Sequence, residues 1–230
     1  MKCRVLVLRP EPGAGATAAR ARAMGLRPVV APLFTIRPVA WDAPQPDAFD
    51  AVLLTSANAA RHAGAGLSGF LHLPCRAVGE ATAAAARAAG FARISTGDGD
   101  GAAALAPLAG RVLHPCGRDH VPLPQTETRI ERRVVYAADA SRALPDAARQ
   151  ALAAGAIAIV HSPRAAATFA ALVDAGGLAR HEVVAAAISE AAAAALGDGW
   201  AAIGVAARPR DEALLELAAQ LCQKMARRRE

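Results

Sequence analysis

Apolar runs of strand length alternate with Ala-rich segments of helix length along almost all of the 230-residue chain. This is the pattern of parallel strands that are buried on both faces and joined by covering helices. The runs predict strands at Cys3–Leu8, Pro28–Ala31, Ala51–Thr55, Arg76–Val78, Ala92–Ser95, Arg111–His114, Arg132–Ala137, Ala156–His161, Val183–Ile188 and Ala201–Ala206. Between them, helices are predicted at Thr17–Met24, Asn58–Ala65, Glu80–Ala89, Gly101–Leu108, Asp146–Ala153, Arg164–Ala175, Glu190–Leu196 and Asp211–Arg227. Several of these end at Gly, as in Met24-Gly25, Ala89-Gly90, Ala154-Gly155 and Leu196-Gly197, where a left-handed residue closes the last turn. The fold class is α/β.

One unit occurs twice. Ala51-Val52-Leu53-Leu54-Thr55-Ser56 and Ala156-Ile157-Ala158-Ile159-Val160-His161-Ser162 each run from an apolar strand through a Ser on the turn into a small-residue helix. Each is followed by a second similar pair, Arg76-Ala77-Val78-Gly79-Glu80 and Ala185-Ala186-Ala187-Ile188-Ser189-Glu190. The period, roughly a hundred residues, is too long for a solenoid and points to two similar domains with a ligand cleft between them. Pro38, Pro44 and Pro46 break regular structure around Trp41, so the chain is expected to leave its first domain there. Gly117 to Thr128, with Pro122 and Pro124, forms a second irregular stretch before Arg132–Ala137.

Composition modifies this picture little. Ala supplies roughly a quarter of the residues, which favours helix over burial. A net charge of +6 favours an acidic partner. No basic run occurs except Arg227-Arg228-Arg229, and aromatics are only 3% of the chain, which argues against nucleic acid. That tail reads as a solvated helix end. Cys3, Cys75, Cys116 and Cys222 form no CxxC pair, and no His spacing suits a ligand set, so no metal is expected. Four scattered cysteines fit reduced thiols in a cytoplasmic protein. No apolar run is uniform enough for a bilayer, so no membrane partner is expected.

Ligands of open parallel sheets bind outside the carboxyl ends of the strands, where helix N-termini present free N–H groups. Ser56, Gly79, Ser162 and Ser189 fall at such ends, each beside amides able to face an anion. Arg9, Arg164 and Arg118 extend the positive character of the same edges. Nucleophilic chemistry finds no support: neither a G-x-S-x-G elbow nor a close carboxylate pair occurs, and neither GxxxxGK[ST] nor GxGxxG is present. Tyr136 is the sole Tyr and lies where the chain is expected to return between domains.

Taken in order, Val5-Leu6-Val7-Leu8-Arg9-Pro10, Thr55-Ser56-Ala57-Asn58-Ala59, Val78-Gly79-Glu80-Ala81-Thr82-Ala83, Val135-Tyr136, His161-Ser162-Pro163-Arg164-Ala165 and Val205-Ala206-Ala207-Arg208-Pro209 resemble the uroporphyrinogen-III synthase family. The resemblance implies two α/β domains joined by a short two-stranded ladder: residues 1–36 with 138–230, and 37–137 inserted between them. It implies a cofactor-free lyase that cyclises linear hydroxymethylbilane, a polycarboxylate tetrapyrrole, with inversion of the last pyrrole ring and loss of water. It makes Tyr136 the residue that assists departure of the hydroxyl. It implies that Ser56, Gly79, Ser162 and Ser189 hold substrate carboxylates, with Thr82 the matching hydroxyl; with Arg9, Asn58 and Arg164 these are the expected substrate-binding set, and a monomer is expected. Ala57, His161, Ser189 and Ala192 depart from the family pattern, which implies that the C-terminal half grips substrate through its backbone. A two-domain binding protein for a small polyanion, without chemistry, is the alternative.

Overall fold

The computed structural model describes residues 3–97, 108–120, 122–123 and 128–227. The predicted helix at Gly101–Leu108 lies, apart from Leu108, outside the described residues, as do Pro124, Arg228 and Arg229. The strands are β1 (Arg4–Val7), β2 (Arg27–Val30), β3 (Phe34–Pro38), β4 (Ala51–Leu54), β5 (Cys75–Val78), β6 (Ile94–Gly97), β7 (Arg111–Gly117), β8 (Arg129–Ala140), β9 (Ile157–Val160), β10 (Val184–Ala187) and β11 (Ala202–Val205). The helices are α1 (Gly13–Ala23), α2 (Ala57–His62), α3 (Glu80–Ala89), α4 (Asp146–Ala153), α5 (Pro163–Ala175), α6 (Glu190–Leu196) and α7 (Asp211–Arg227).

The chain divides into two compact units, Met1–Thr35 with Ala140–Glu230 as unit 1, and Ile36–Asp139 as unit 2. Unit 1 holds a sheet of order β11-β10-β9-β1-β2, in which every pairing is parallel. The sheet of order β3-β8-β7-β4-β5-β6 is parallel from β8 to β6. β3 lies on its edge and runs against β8: Ser141 N–H donates to the Leu33 carbonyl at 2.8 Å, and Val39 N–H to the Val135 carbonyl at 2.9 Å. The chain passes from one unit to the other within these two strands.

β3 departs from the sequence reading, which took Pro38 as the mark of an irregular segment. Pro38 is tolerated because it ends an edge strand, where a missing N–H costs no ladder bond. β7 and β8 also run longer than their apolar runs. Glu131, Arg132 and Arg133 keep extended backbone because they pair in register with Leu113, His114 and Pro115 of β7, while Glu131 takes ion pairs from Arg111 at 2.5 Å and from Arg133.

Both faces of each sheet are covered, as continuous apolar strands require. In β4, Val52 and Leu54 pack with Phe49, Leu67, Phe70 and Val135, while Ala51 and Leu53 pack with Val112 on the opposite face. Phe49 and Phe70 meet edge-on at 5.8 Å between ring centroids. In unit 1, Val5, Val7, Ile157 and Ile159 take Leu214, Leu215 and Ala218 of α7. Each fully buried Leu, Ile or Phe contributes about 1.5–3 kcal/mol. Small Ala faces let the helices lie close on the strands.

Cys3 and Cys222 form a disulfide with Cα atoms 5.9 Å apart. This corrects the expectation of four reduced thiols. α7 lies on the sheet core that contains β1 and brings together two cysteines 219 residues apart in sequence, a separation at which spacing carries no signal. Cys75 and Cys116 are buried free thiols. Burial pushes the Cys75 thiol up to about 12.

Candidate functional site at the switch points of the two sheets

In an open parallel sheet, the strand-end crevice opens where successive connections leave in opposite directions. In unit 2 this falls between β4, which continues to β5 and β6, and β7, which continues to β8. Ser56 lies two residues beyond the end of β4, and Gly117 ends β7. Tyr136 stands on β8 in register with Gly117, after a bulge that follows Cys116. From there its phenol O–H donates to Ser56 Oγ at 3.1 Å.

The ring reaches that far only because Gly117 lacks a side chain. A Cβ on Gly117 would lie 2.7 Å from Tyr136 Cζ and 2.9 Å from its hydroxyl oxygen. Ser56 Oγ accepts a second hydrogen bond from Asn58 N–H at 3.2 Å, capping α2. Both lone pairs of that oxygen are engaged, so its own proton remains to donate outward. His62, one turn beyond Asn58, sets its ring 6.3 Å from the Tyr136 ring at 39°. Burial, and then the charge of Arg61, lower the pKa of His62.

Behind this edge lies His114 of β7, only 1% exposed. Its Nε2 is 3.0 Å from Thr55 Oγ1, and its Nδ1 has no partner among the described residues. Burial, then Arg132 and His120, push its pKa down to about 4, so the imidazole is neutral. The tautomer with the proton on Nε2 leaves only an unfilled acceptor at Nδ1, which costs less than a buried N–H without a partner. His120 closes the group, with Nδ1 3.1 Å from the Gly117 carbonyl and its ring edge-on to His114 at 6.4 Å.

On the neighbouring strand, Gly79 links β5 to α3 at φ +87° and ψ 163°, a region in effect reserved for glycine. It leaves the first turn of α3 without a side-chain cap. Thr82, two residues inside α3, is 5% exposed and belongs to the buried side of that helix. Tyr136, Ser56 and Asn58 are thus in one hydrogen-bonded group with Gly79 on the next strand, whereas Thr82 is packed beneath.

The corresponding edge of unit 1 carries Ser189, Ser162 and Arg9 in the spatial order of β10, β9 and β1. Ser162 Oγ accepts from Ala165 N–H at 3.1 Å, and Ser189 Oγ from Ala192 N–H at 3.3 Å. Arg164 lies over the Phe34 ring at 4.7 Å. Arg118 is engaged by Asp139 at 2.5 Å. Sequence reasoning did not single out His62, His114, Gly117 or Asp211. A glycine inside a strand is the one local signal of close approach that Gly117 offered.

Among the described residues, no group of three or more His, Cys, Asp or Glu could hold a metal ion, and no helix is long and apolar enough to cross a membrane.

Two sheets, parallel apart from the edge strand β3, each with hydroxyls, uncapped or serine-capped helix starts and a cation or phenol at its switch point, define the class: a doubly wound α/β protein of two units with polar groups at the carboxyl edge of each sheet. The family model described as uroporphyrinogen-III synthase HemD matches residues 15–216. The fold is similar to that of uroporphyrinogen-III synthetase from Helicobacter pylori, with a TM-score of 0.65 and 19% identity over 96% of this chain and 100% of that one. It is also similar to a mutant uroporphyrinogen III synthase from the extremely thermophilic bacterium Thermus thermophilus, with a TM-score of 0.53 and 20% identity over 96% and 99%. No curated protein sequence matches. The chain belongs to the uroporphyrinogen-III synthase family, cyclising hydro-lyases of haem biosynthesis.

Proposed function

We propose that this chain closes linear hydroxymethylbilane to uroporphyrinogen III through the group at the unit 2 switch point, with Tyr136 acting on the departing hydroxyl. The observation that carries the assignment is the Tyr136 to Ser56 hydrogen bond at 3.1 Å across Gly117. It holds the phenol at the carboxyl edge of the sheet, against Ser56, which supports a role for it there.

Loss of the terminal hydroxyl together with the N–H proton of its pyrrole ring, as water, gives a reactive azafulvene. Unaided, it closes to the wrong isomer, so the protein must hold the last ring so that its substituted carbon attacks first. The resulting spiro intermediate then fragments and recloses. Positioning supplies most of this effect. In the proposed step the Tyr136 O–H turns from Ser56 to the leaving hydroxyl and hydrogen-bonds it as the C–O bond breaks. Ser56, freed of that contact, keeps Asn58 N–H as its donor and offers its own proton to a substrate carboxylate. The uncapped start of α3 after Gly79 offers further N–H donors.

Tyr136→Phe tests the assignment, with porphyrins oxidised and separated by isomer. The expected result is a loss of roughly a hundredfold in turnover, the scale of one positioned proton donor, with the III isomer still dominant among the enzymatic product. Wild-type turnover by this variant overturns the role. Isomer I alone from the wild-type protein overturns the enzymatic reading.

A further inference from the structure

The switch point of the unit 1 sheet, between β1 and β9, is backed by a chain of buried polar contacts. Asp211, the first residue of α7, has a side chain 10% exposed. Its Oδ1 accepts from Thr17 Oγ1 at 2.8 Å and from His161 Nε2 at 2.7 Å, and its Oδ2 accepts from Arg20 at 2.8 Å. Thr17 is fully buried, and the His161 side chain is 7% exposed with Nδ1 lacking a partner among the described residues. Burial would raise the Asp211 pKa, but His161, Thr17 and Arg20 together hold it down to about 2. Burial lowers that of His161 in spite of its hydrogen bond to Asp211. The pair is a neutral imidazole donating to a carboxylate.

Arg9 stands at the mouth of this chain. Its guanidinium packs over Gly13, where a Cβ would come within 2.6 Å of Nε. Its contacts are long: Thr17 Oγ1 at 3.5 Å and Asp211 Oδ1 at 3.8 Å. The other charges nearby are committed elsewhere, since Arg20 also pairs with Glu212 at 3.0 Å and Glu11 accepts from Gly15 N–H at 2.9 Å. Arg9 is therefore a partly exposed cation with donors to spare, on the turn after β1, the strand paired with β9 that leads into Ser162. A guanidinium presents five donors in a fixed fork suited to a carboxylate.

We infer that Arg9 binds a substrate carboxylate, and that His161, through Asp211 and Thr17, is its positioning residue. The inference rests on the proposed cyclase reading and adds to it a second anion site, in unit 1, with the residues that orient it. Asp211 is held from three sides at 3.8 Å from Arg9, so its charge favours the guanidinium without taking up the donors of the fork. His161 fills the position that precedes the serine in the duplicated unit, where Thr55 stands in the first copy; it bonds Asp211 of α7, whereas Thr55 meets His114 of β7.

A double-mutant cycle tests this on the full-length protein, with initial rates on hydroxymethylbilane and isomer analysis. Arg9→Gln is expected to raise KM about tenfold with kcat within threefold of wild type. His161→Leu is expected to raise KM several-fold, His161→Gln, which keeps an N–H donor, is expected to restore it, and His161→Leu in the Arg9→Gln background is expected to add nothing. Should His161→Leu fail to fold, Thr17→Val removes the other donor to the same oxygen and takes its place in the cycle. An unchanged KM for Arg9→Gln overturns the inference, and so do additive effects of the two substitutions. Wild-type protein that yields no isomer III refutes the cyclase reading instead, and is seen before any variant is assayed.

Discussion

Gly117 lies directly beneath the ring of Tyr136, and the space a methyl group would take there is the space the phenol crosses to reach Ser56. Two neighbouring strands thus share one requirement, a large side chain on β8 and none on β7. Gly117→Ala is expected to push the ring aside and break the hydrogen bond to Ser56. Overpacking of this kind costs about 1–3 kcal/mol. Turnover should fall at least tenfold while isomer III remains the product, as measured by initial rates beside a thermal melt.

Gly79→Ala makes the opposite case. A Cβ there meets nothing within 4 Å, but φ is +87°. The penalty is backbone strain alone, about 1–3 kcal/mol, and a urea melt with an unchanged slope is the expected readout. Relief of that strain by rotating the peptide would turn the α3 amides away from the edge, so KM should rise with it.

The buried His114 makes stability depend on pH. Its folded pKa, about 4, lies below the ordinary 6.5, so the unfolded chain binds the proton more readily than the folded one. The stabilisation is complete above pH 6.5 and is lost as pH falls toward 4, by an amount on the order of 3 kcal/mol. His161 shifts in the same direction. Melting temperatures from pH 7.5 to 4 should decline in the wild type, and more shallowly in His114→Asn. Parallel curves would show that folding leaves the His114 pKa unshifted.

Thiol chemistry separates the cysteines. Under native, non-reducing conditions Cys75 and Cys116 are expected to resist alkylation, because burial raises both pKa values. Unfolding without reductant should expose these two thiols only. Reduction of Cys3–Cys222, or Cys3→Ser, is expected to cost about 2–4 kcal/mol. The check is a urea melt with and without reductant. Four reactive thiols in the unreduced, unfolded chain would exclude the bond.

How much of this was readable beforehand depends on whether the cause is local. α3, α4 and α6 carry their limits in neighbouring residues: Gly90 takes φ +105° and Gly155 φ +74° just beyond the last turns of α3 and α4. Ser189 caps the start of α6. β3 was hidden because Thr35 and Arg37 face outward on an edge and Pro38 reads as a breaker, so only its pairing with β8 reveals it. The serine turns announce themselves by repetition. His114 and His161 do not, since a single imidazole in an apolar run says nothing of the Thr55 or Asp211 that meets it. Those partners are 59 and 50 residues away, and only the topology of the parallel sheets joins them.

The bond between Cys3 and Cys222 has a topological meaning as well as an energetic one. Between those residues the polypeptide is a covalent ring, and unit 2 is a segment of that ring whose two entries, β3 and β8, are already paired. One backbone cut anywhere inside the ring therefore releases no fragment until reductant is added. New termini opened at such a cut would give a permuted chain with the same covalent connectivity through sulfur, a molecule in which each unit's contribution to folding could be timed independently of where synthesis starts.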